Sequence, residues 1–188
     1  MAQRLILVRH GNPDGSSGAP ASGWRLSAHG LARSGQLARR LEPVSASKIY
    51  TSTERKAVET AQAIGDVLHL PVEVVKGLHE HERPDTPLLE PGEFEAAMKR
   101  FFSSPAECVF GRESADATAA RFRHAIAALT SAAGAADLIV VTHGTVMTLF
   151  LAESNGVDPF TFWRGLPMPC AALVRLPSLT VEAMVSSD

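Results

Sequence analysis

With 188 residues, 45% of them hydrophobic and 20% charged, the chain is long enough to bury roughly 70% of its unfolded-state surface, and nothing in its length asks for more than one domain. A net charge of −2 and the lack of any Lys/Arg cluster interleaved with aromatics argue against a nucleic-acid-binding face, and no run approaches the ~20 apolar residues of a membrane span. Cys108 and Cys170 are too few and too far apart for a disulfide framework or a metal knuckle, and the four aliphatics after Arg4 are too short for a signal-peptide core, so the expected compartment is the cytoplasm.

In chain order, Leu5-Ile6-Leu7-Val8 is an apolar run with the signature of a strand buried on both faces, and it delivers Arg9, His10 and Gly11 at its carboxyl edge. Residues 12–23, rich in Gly, Ser, Pro and Ala and followed by Trp24, read as a loop bordering that edge. Ser27 is a good N-cap for a helix whose inward face is read as Leu31, Gly35, Ala38 and Leu41, with a stop at Pro43. A strand at 48–52 and a helix at 54–68, carrying Ala57, Ala61, Ile64 and Leu68 on one face and ended by Pro71, precede a short strand at 72–75. The composition then shifts. Residues 77–111 carry four prolines outside any strand pattern, the cluster His79-Glu80-His81-Glu82-Arg83, and a short amphipathic helix with Phe94, Ala97, Met98, Phe101 and Phe102. This segment is read as a small Pro-rich cap inserted into the domain, its aromatic stripe serving first as packing for the cap, with a pocket lining that faces substrate as the second reading. An alanine-rich helix at 113–133 leads to a second buried strand, Leu138-Ile139-Val140-Val141, which ends in Thr142-His143-Gly144. A helix at 144–153, a loop holding Trp163, and a hairpin of 171–176 with 181–185 complete the chain. The expected fold is a three-layer α/β/α sandwich, its central sheet mostly parallel with an antiparallel edge.

Two buried strands thus each end in a histidine followed by glycine, at the edge where open α/β sheets place their sites. If they are neighbours, two imidazoles and Arg9 share one small volume, an arrangement that needs an anion between them. The chemistry such a set performs is phosphoryl transfer: a neutral imidazole attacks phosphorus, cations neutralise the equatorial oxygens, and an acid protonates the leaving alcohol. Arg9 beside His10 disfavours the imidazolium and keeps a nitrogen lone pair available. No metal or other cofactor is required, and His79 and His81, without a third ligand at suitable spacing, read as a polar loop in preference to a metal site.

Five blocks in order resemble the histidine phosphatase superfamily, the phosphoglycerate-mutase-like proteins: Leu7-Val8-Arg9-His10-Gly11; the stretch from Tyr50 to Ala61 with Ser52 and Ala57-Val58-Glu59-Thr60-Ala61; Leu78-His79-Glu80; Glu113-Ser114 with Arg121; and Val141-Thr142-His143-Gly144. The resemblance implies His10 as nucleophile, Arg9 and His143 as phosphate ligands, and Glu80 as general acid and base. An ungapped match puts Lys56 where the family usually has a second phosphate-binding arginine, with Arg55 one residue early; a slip of one residue turns a helical side chain by ~100°, and Lys56 is preferred. Glu82 is the substitute for Glu80, whose block lacks the Gly and Trp that commonly follow it. Asn12 either offers its amide to the phosphate or forms a turn.

The expected activity is that of a histidine acid phosphatase-like phosphomonoesterase, independent of metal, acting through a phosphohistidine on His10. The alternatives are a phosphoglycerate mutase, for which the cap offers only Arg83, Lys99 and Arg100 as cations, and a phosphate-binding regulatory module without turnover. The partner is a small phosphorylated substrate, a phosphoprotein remaining open, with neither nucleic acid nor membrane involved.

Overall fold

The computed structural model describes residues 4–15, 20–41, 44–83, 89–134 and 136–187. Among the described residues eight strands and six α-helices run in the order β1 (Arg4–Arg9), β2 (Pro13–Asp14), β3 (Arg25–Leu26), α1 (Ala28–Arg40), β4 (Ile49–Thr51), α2 (Arg55–Leu68), β5 (Val72–Val74), α3 (Pro91–Ser103), α4 (Ala115–Ala133), β6 (Leu138–Thr142), α5 (Gly144–Leu151), α6 (Pro159–Gly165), β7 (Cys170–Arg175) and β8 (Thr180–Ser186). Six strands form one sheet in the order β5-β4-β6-β1-β7-β8. The first four are mutually parallel, and β7 runs antiparallel to both β1 and β8.

The apolar runs of β1 and β6 are neighbours at the centre, paired from Leu5 with Leu138 to Arg9 with Thr142. Because side chains alternate along a strand, Leu5, Leu7, Leu138 and Val140 face α4 and α5, meeting Phe122, Ile126, Val146 and Met147. Ile6, Val8, Ile139 and Val141 face the other way, against Leu37 and Ala38 of α1 and Ala57, Ala61 and Ile64 of α2. The result is the expected three-layer sandwich, and each fully buried aliphatic adds roughly 1.5–3 kcal/mol of burial. A third cluster, Met98, Phe101 and Ala115 with Phe94, Phe102, Phe110 and Trp163, joins α3 to α6. Among the described residues no helix is long and apolar enough to cross a membrane.

Several local readings are corrected. Ala38 and Leu41 are buried as expected, but Leu31 is 51% exposed and Gly35 only partly buried; the first half of α1 turns Gly30 and Ser34 inward instead, because small residues are needed where the helix start meets the loop after β1. Pro43, read as the stop of α1, lies outside the described residues, and the helix ends at Arg40. His69, at φ 56°, ends α2 in the left-handed conformation two residues before Pro71. The segment around Trp163 is helical: Asp158 Oδ1 accepts from the Thr161 N–H at 2.8 Å and Pro159 opens α6. The loop after His10 contains the two-stranded ribbon of β2 and β3, with Asp14 opposite Arg25.

Candidate active site

Three parallel strands end at one edge. β1 hands over to His10, whose N–H donates to the Thr142 carbonyl at 3.0 Å; β4 hands over to Ser52, whose N–H donates to the Val141 carbonyl at 3.1 Å; β6 leads into His143. The turn after His10 is pinned by the Gly11 N–H, which donates to Thr60 Oγ1 at 3.0 Å, and by backbone packing against α1. A Cβ on Gly11 would sit 2.8 Å from the Gly30 oxygen, and one on Gly30 only 2.3 Å from the Asn12 oxygen. Both positions therefore need glycine for close approach, with no demand on φ.

The His10 and His143 rings meet edge-on, centroids 5.1 Å apart at 62°. His10 Nδ1 lies 2.8 Å from the Gly11 carbonyl, which can only accept, so Nδ1 carries the proton and Nε2 keeps its lone pair. Burial, followed by the neighbouring His143, Lys56 and Arg9, holds the His10 imidazole well below its ordinary value. His143 is fully buried and is likewise held low, first by burial and then by Lys56. Its Nε2 shares a 2.6 Å hydrogen bond with Ser52 Oγ.

Two cations flank this pair. The Arg9 guanidinium donates through Nη1 to the Leu166 carbonyl and lies against Gly144, where a Cβ would come within 3.1 Å of Nε. The Lys56 ammonium is buried; it donates to the Ala21 carbonyl at 2.7 Å and to Glu54 Oε2 at 2.5 Å. Arg55 is not brought here. It is half-exposed and pairs with Glu59 one turn along α2. Asn12 does not line the cavity, and its Oδ1 is buried without a hydrogen-bond partner among the described residues.

Glu80 enters from the opposite wall. Its Oε2 accepts from the Thr145 N–H at 3.1 Å, at the start of α5, and its Oε1 from the His81 N–H at 3.0 Å. Burial acts to raise this carboxyl, but the His143 and Arg83 charges and the His81 N–H outweigh it and hold it below the usual carboxylate range. Glu80 and His143 are coupled, and the state the hydrogen bonds favour is a neutral imidazole beside an ionised carboxylate that accepts two N–H groups. Glu82 sits at the rim, half-exposed and bonded to His79 at 3.0 Å. His81 donates through Nε2 to the Glu113 carbonyl at 2.9 Å and packs on Phe101 and Phe110. Among the described residues no group of three or more His, Cys, Asp or Glu is placed to hold a metal ion.

Arg9, His10, Lys56 and Glu80 share a cavity of about 560 Å³ whose outer wall includes Trp24, Phe94 and Trp163. Two groups with no role assigned from the sequence support the site. Arg121 fixes the Glu80 loop by donating to the carbonyls of Gly77 and His79 at 2.9 Å each and of Glu80 at 3.2 Å, while pairing with Glu113. Glu54 faces the cavity with its side chain 10% exposed, and its Oε1 accepts the Glu80 N–H at 2.8 Å. The place of Arg121 beside Glu113 in a shared motif was the available signal; for Glu54 there was none, since an acidic residue opening a helix is commonplace.

A model of the histidine phosphatase superfamily (branch 1) matches residues 5–178. Among solved structures, the mycobacterial glucosyl-3-phosphoglycerate phosphatase superposes with a TM-score of 0.74 at 23% identity, covering 92% of this chain and 90% of its own. The alpha-ribazole phosphatase from Shigella flexneri gives 0.74 at 20% identity over 98% and 97% of the two chains. The phosphoserine phosphatase from Entamoeba histolytica, solved with 3-phosphoglyceric acid, gives 0.75 at 17% identity over 98% and 97%. At these identities the likeness is one of fold. Comparison with curated proteins gives no match.

Proposed function

Because the chain belongs to branch 1 of the histidine phosphatase superfamily, we propose that it hydrolyses phosphomonoesters without a metal, through a phosphohistidine on His10. The observation that carries this reading is the hydrogen bond from His10 Nδ1 to the Gly11 carbonyl, which leaves Nε2 as an unprotonated nucleophile facing the cavity. In the first step Nε2 attacks phosphorus, the bond to the ester oxygen breaks, and that oxygen takes its electron pair and a proton from the Glu80 carboxyl. Glu80 is ionised before substrate arrives; a phosphate dianion placed beside it raises its proton affinity, so the proton enters with the substrate. In the second step water attacks the phosphohistidine, Glu80 accepts its proton, and His10 is regenerated. Arg9, Lys56 and His143 hold the non-bridging oxygens through both steps.

The substrate in this reading is a small phosphorylated metabolite, of the class named by the glucosyl-3-phosphoglycerate, alpha-ribazole and phosphoserine phosphatases. The aromatic wall of Trp24, Phe94 and Trp163 supports a substrate whose non-phosphate part is a ring or a short chain lying flat on it. Residues 77–111 act as the cap of a single domain. The free thiols Cys108 and Cys170 are compatible with a cytoplasmic setting.

The test is hydrolysis of p-nitrophenyl phosphate with and without EDTA, by the native chain and by His10→Ala and Glu80→Ala, with quenched protein assayed for bound phosphate. Turnover that survives EDTA, vanishes in His10→Ala and falls in Glu80→Ala, together with bound phosphate that is acid-labile and alkali-stable, is the expected result. Turnover that His10→Ala retains overturns the proposal.

A further inference from the structure

Glu54 poses a problem for a site built to receive a phosphate. It opens α2 yet makes no capping hydrogen bond; its oxygens instead reach the Lys56 ammonium at 2.5 Å and the Glu80 N–H at 2.8 Å, and Oε1 lies 3.6 Å from His143 Nε2. The Lys56 and Glu54 side chains are only 6% and 10% exposed. Around the two neutral imidazoles, Arg9 and Lys56 are therefore balanced by Glu54 and Glu80. A carboxylate placed on the cation that should meet the phosphate weakens the pull on that anion, and between two side chains as buried as these the effect is strong.

Resting on the hydrolase reading above, we infer that Glu54 is a positioning residue that tempers Lys56, setting a low affinity for free phosphate so that the inorganic product leaves. Of the three N–H groups on the ammonium, one goes to Glu54 and one to the Ala21 carbonyl, which leaves one for a phosphate oxygen. Through Oε1 the same carboxylate fixes the main chain of Glu80, so the anion-binding cation and the acid–base carboxylate are held by one side chain. Glu54 touches no reacting atom in this account. It acts through Lys56 and Glu80.

The experiment is calorimetric titration of inorganic phosphate into the native chain, Glu54→Gln and the double variant Glu54→Gln/Lys56→Met, beside assays of p-nitrophenyl phosphate hydrolysis. Glutamine keeps the size and an oxygen to accept the Glu80 N–H but removes the charge, so Glu54→Gln is expected to bind phosphate at least about tenfold tighter, more so at low salt. The double variant loses that gain. A residue with a merely structural role would give weaker binding when replaced, so phosphate affinity that is unchanged or weaker in a folded Glu54→Gln overturns the inference. If that variant does not fold, Glu54→Ala carries the same expectation. The two proposals fail separately: hydrolysis by the native chain without tightening sinks the role of Glu54 alone, whereas tightening without hydrolysis sinks the hydrolase reading alone.

Discussion

The guanidinium of Arg121 donates to the main-chain carbonyl of Glu80 at 3.2 Å, while the Glu80 carboxylate points the other way, to the Thr145 N–H. Glu80 is thus held by its backbone from α4 and by its side chain from α5. Arg121→Ala removes the guanidinium donor from the carbonyls of Gly77, His79 and Glu80 and leaves the Glu113 carboxylate with the Glu82 N–H but no cation. We expect kcat on p-nitrophenyl phosphate to fall about 100-fold and unfolding free energy, from urea melts, to drop about 1–3 kcal/mol, the range for buried partners left unmatched. Full activity in Arg121→Ala would show that the Glu80 loop is held by other means.

Lys56 and Arg55 adjoin in sequence but face different surroundings. Arg55→Ala removes a half-exposed i,i+4 pair with Glu59 and is expected to change stability by no more than about 0.5 kcal/mol and kcat/KM by less than about twofold. Lys56→Met removes a cation from the cavity and is expected to lower kcat/KM about 100-fold. The opposite ranking, read from the same steady-state assay, would move the phosphate to Arg55.

Alanine at Gly30 would push a Cβ into the Asn12 backbone, which cannot yield as a flexible side-chain tip would. Thermal melting is expected to show a loss of about 1–3 kcal/mol or more, with activity reduced out of proportion because the displaced turn carries His10. Gly92, whose added Cβ meets nothing within 4 Å, serves as the control.

The buried imidazoles also shape the response to acid. His10 and His143 are held well below the ordinary histidine value and His81 is lowered too, burial being the first cause in each. Below about pH 6.5 the unfolded chain takes up protons that the folded chain refuses, so this part of the stability is complete above that pH and is lost as pH falls. The slope approaches ~1.4 kcal/mol per pH unit for each deeply buried ring. Glu80, Glu113 and Asp137, lowered in the folded state, lose their contribution only below the ordinary carboxylate range, near pH 4, so the two windows separate. Urea melts between pH 5 and 8 should show the histidine slope, reduced by about one proton in His10→Asn. Over the same range kcat/KM should show no loss from protonation of His10.

The central sheet was readable because β1 and β6 are uninterrupted aliphatic runs, and each ends in a residue pair with evident chemistry. The site beyond them was less so, for reasons that differ by residue. Arg121 stood in a motif with Glu113, but the carbonyl groups it works on do not show in a sequence, and Glu54 occupies a position where helices routinely carry an acid. The second half of α1 was read correctly at Ala38 and Leu41, but its start was misread because Leu31 is the largest apolar residue of the first turn, while the packing there is decided by Gly30 and Ser34 against a backbone that the sequence does not display. α6 has seven residues, too few for a periodic stripe, although Asp158-Pro159 marks its start.

Both edges of β1 are taken by strands from the last third of the chain, β6 and β7. During synthesis residues 5–8 therefore leave the ribosome long before any segment exists that can pair with them, and they wait as an apolar strand with two open edges. Pairings over such separations form slowly and leave the nascent chain exposed to association with its neighbours. The same arrangement means that an interrupted product lacking β6 holds neither the second imidazole nor the strand that seats the first, so the two histidines are brought together in a single step, once β6 has been made.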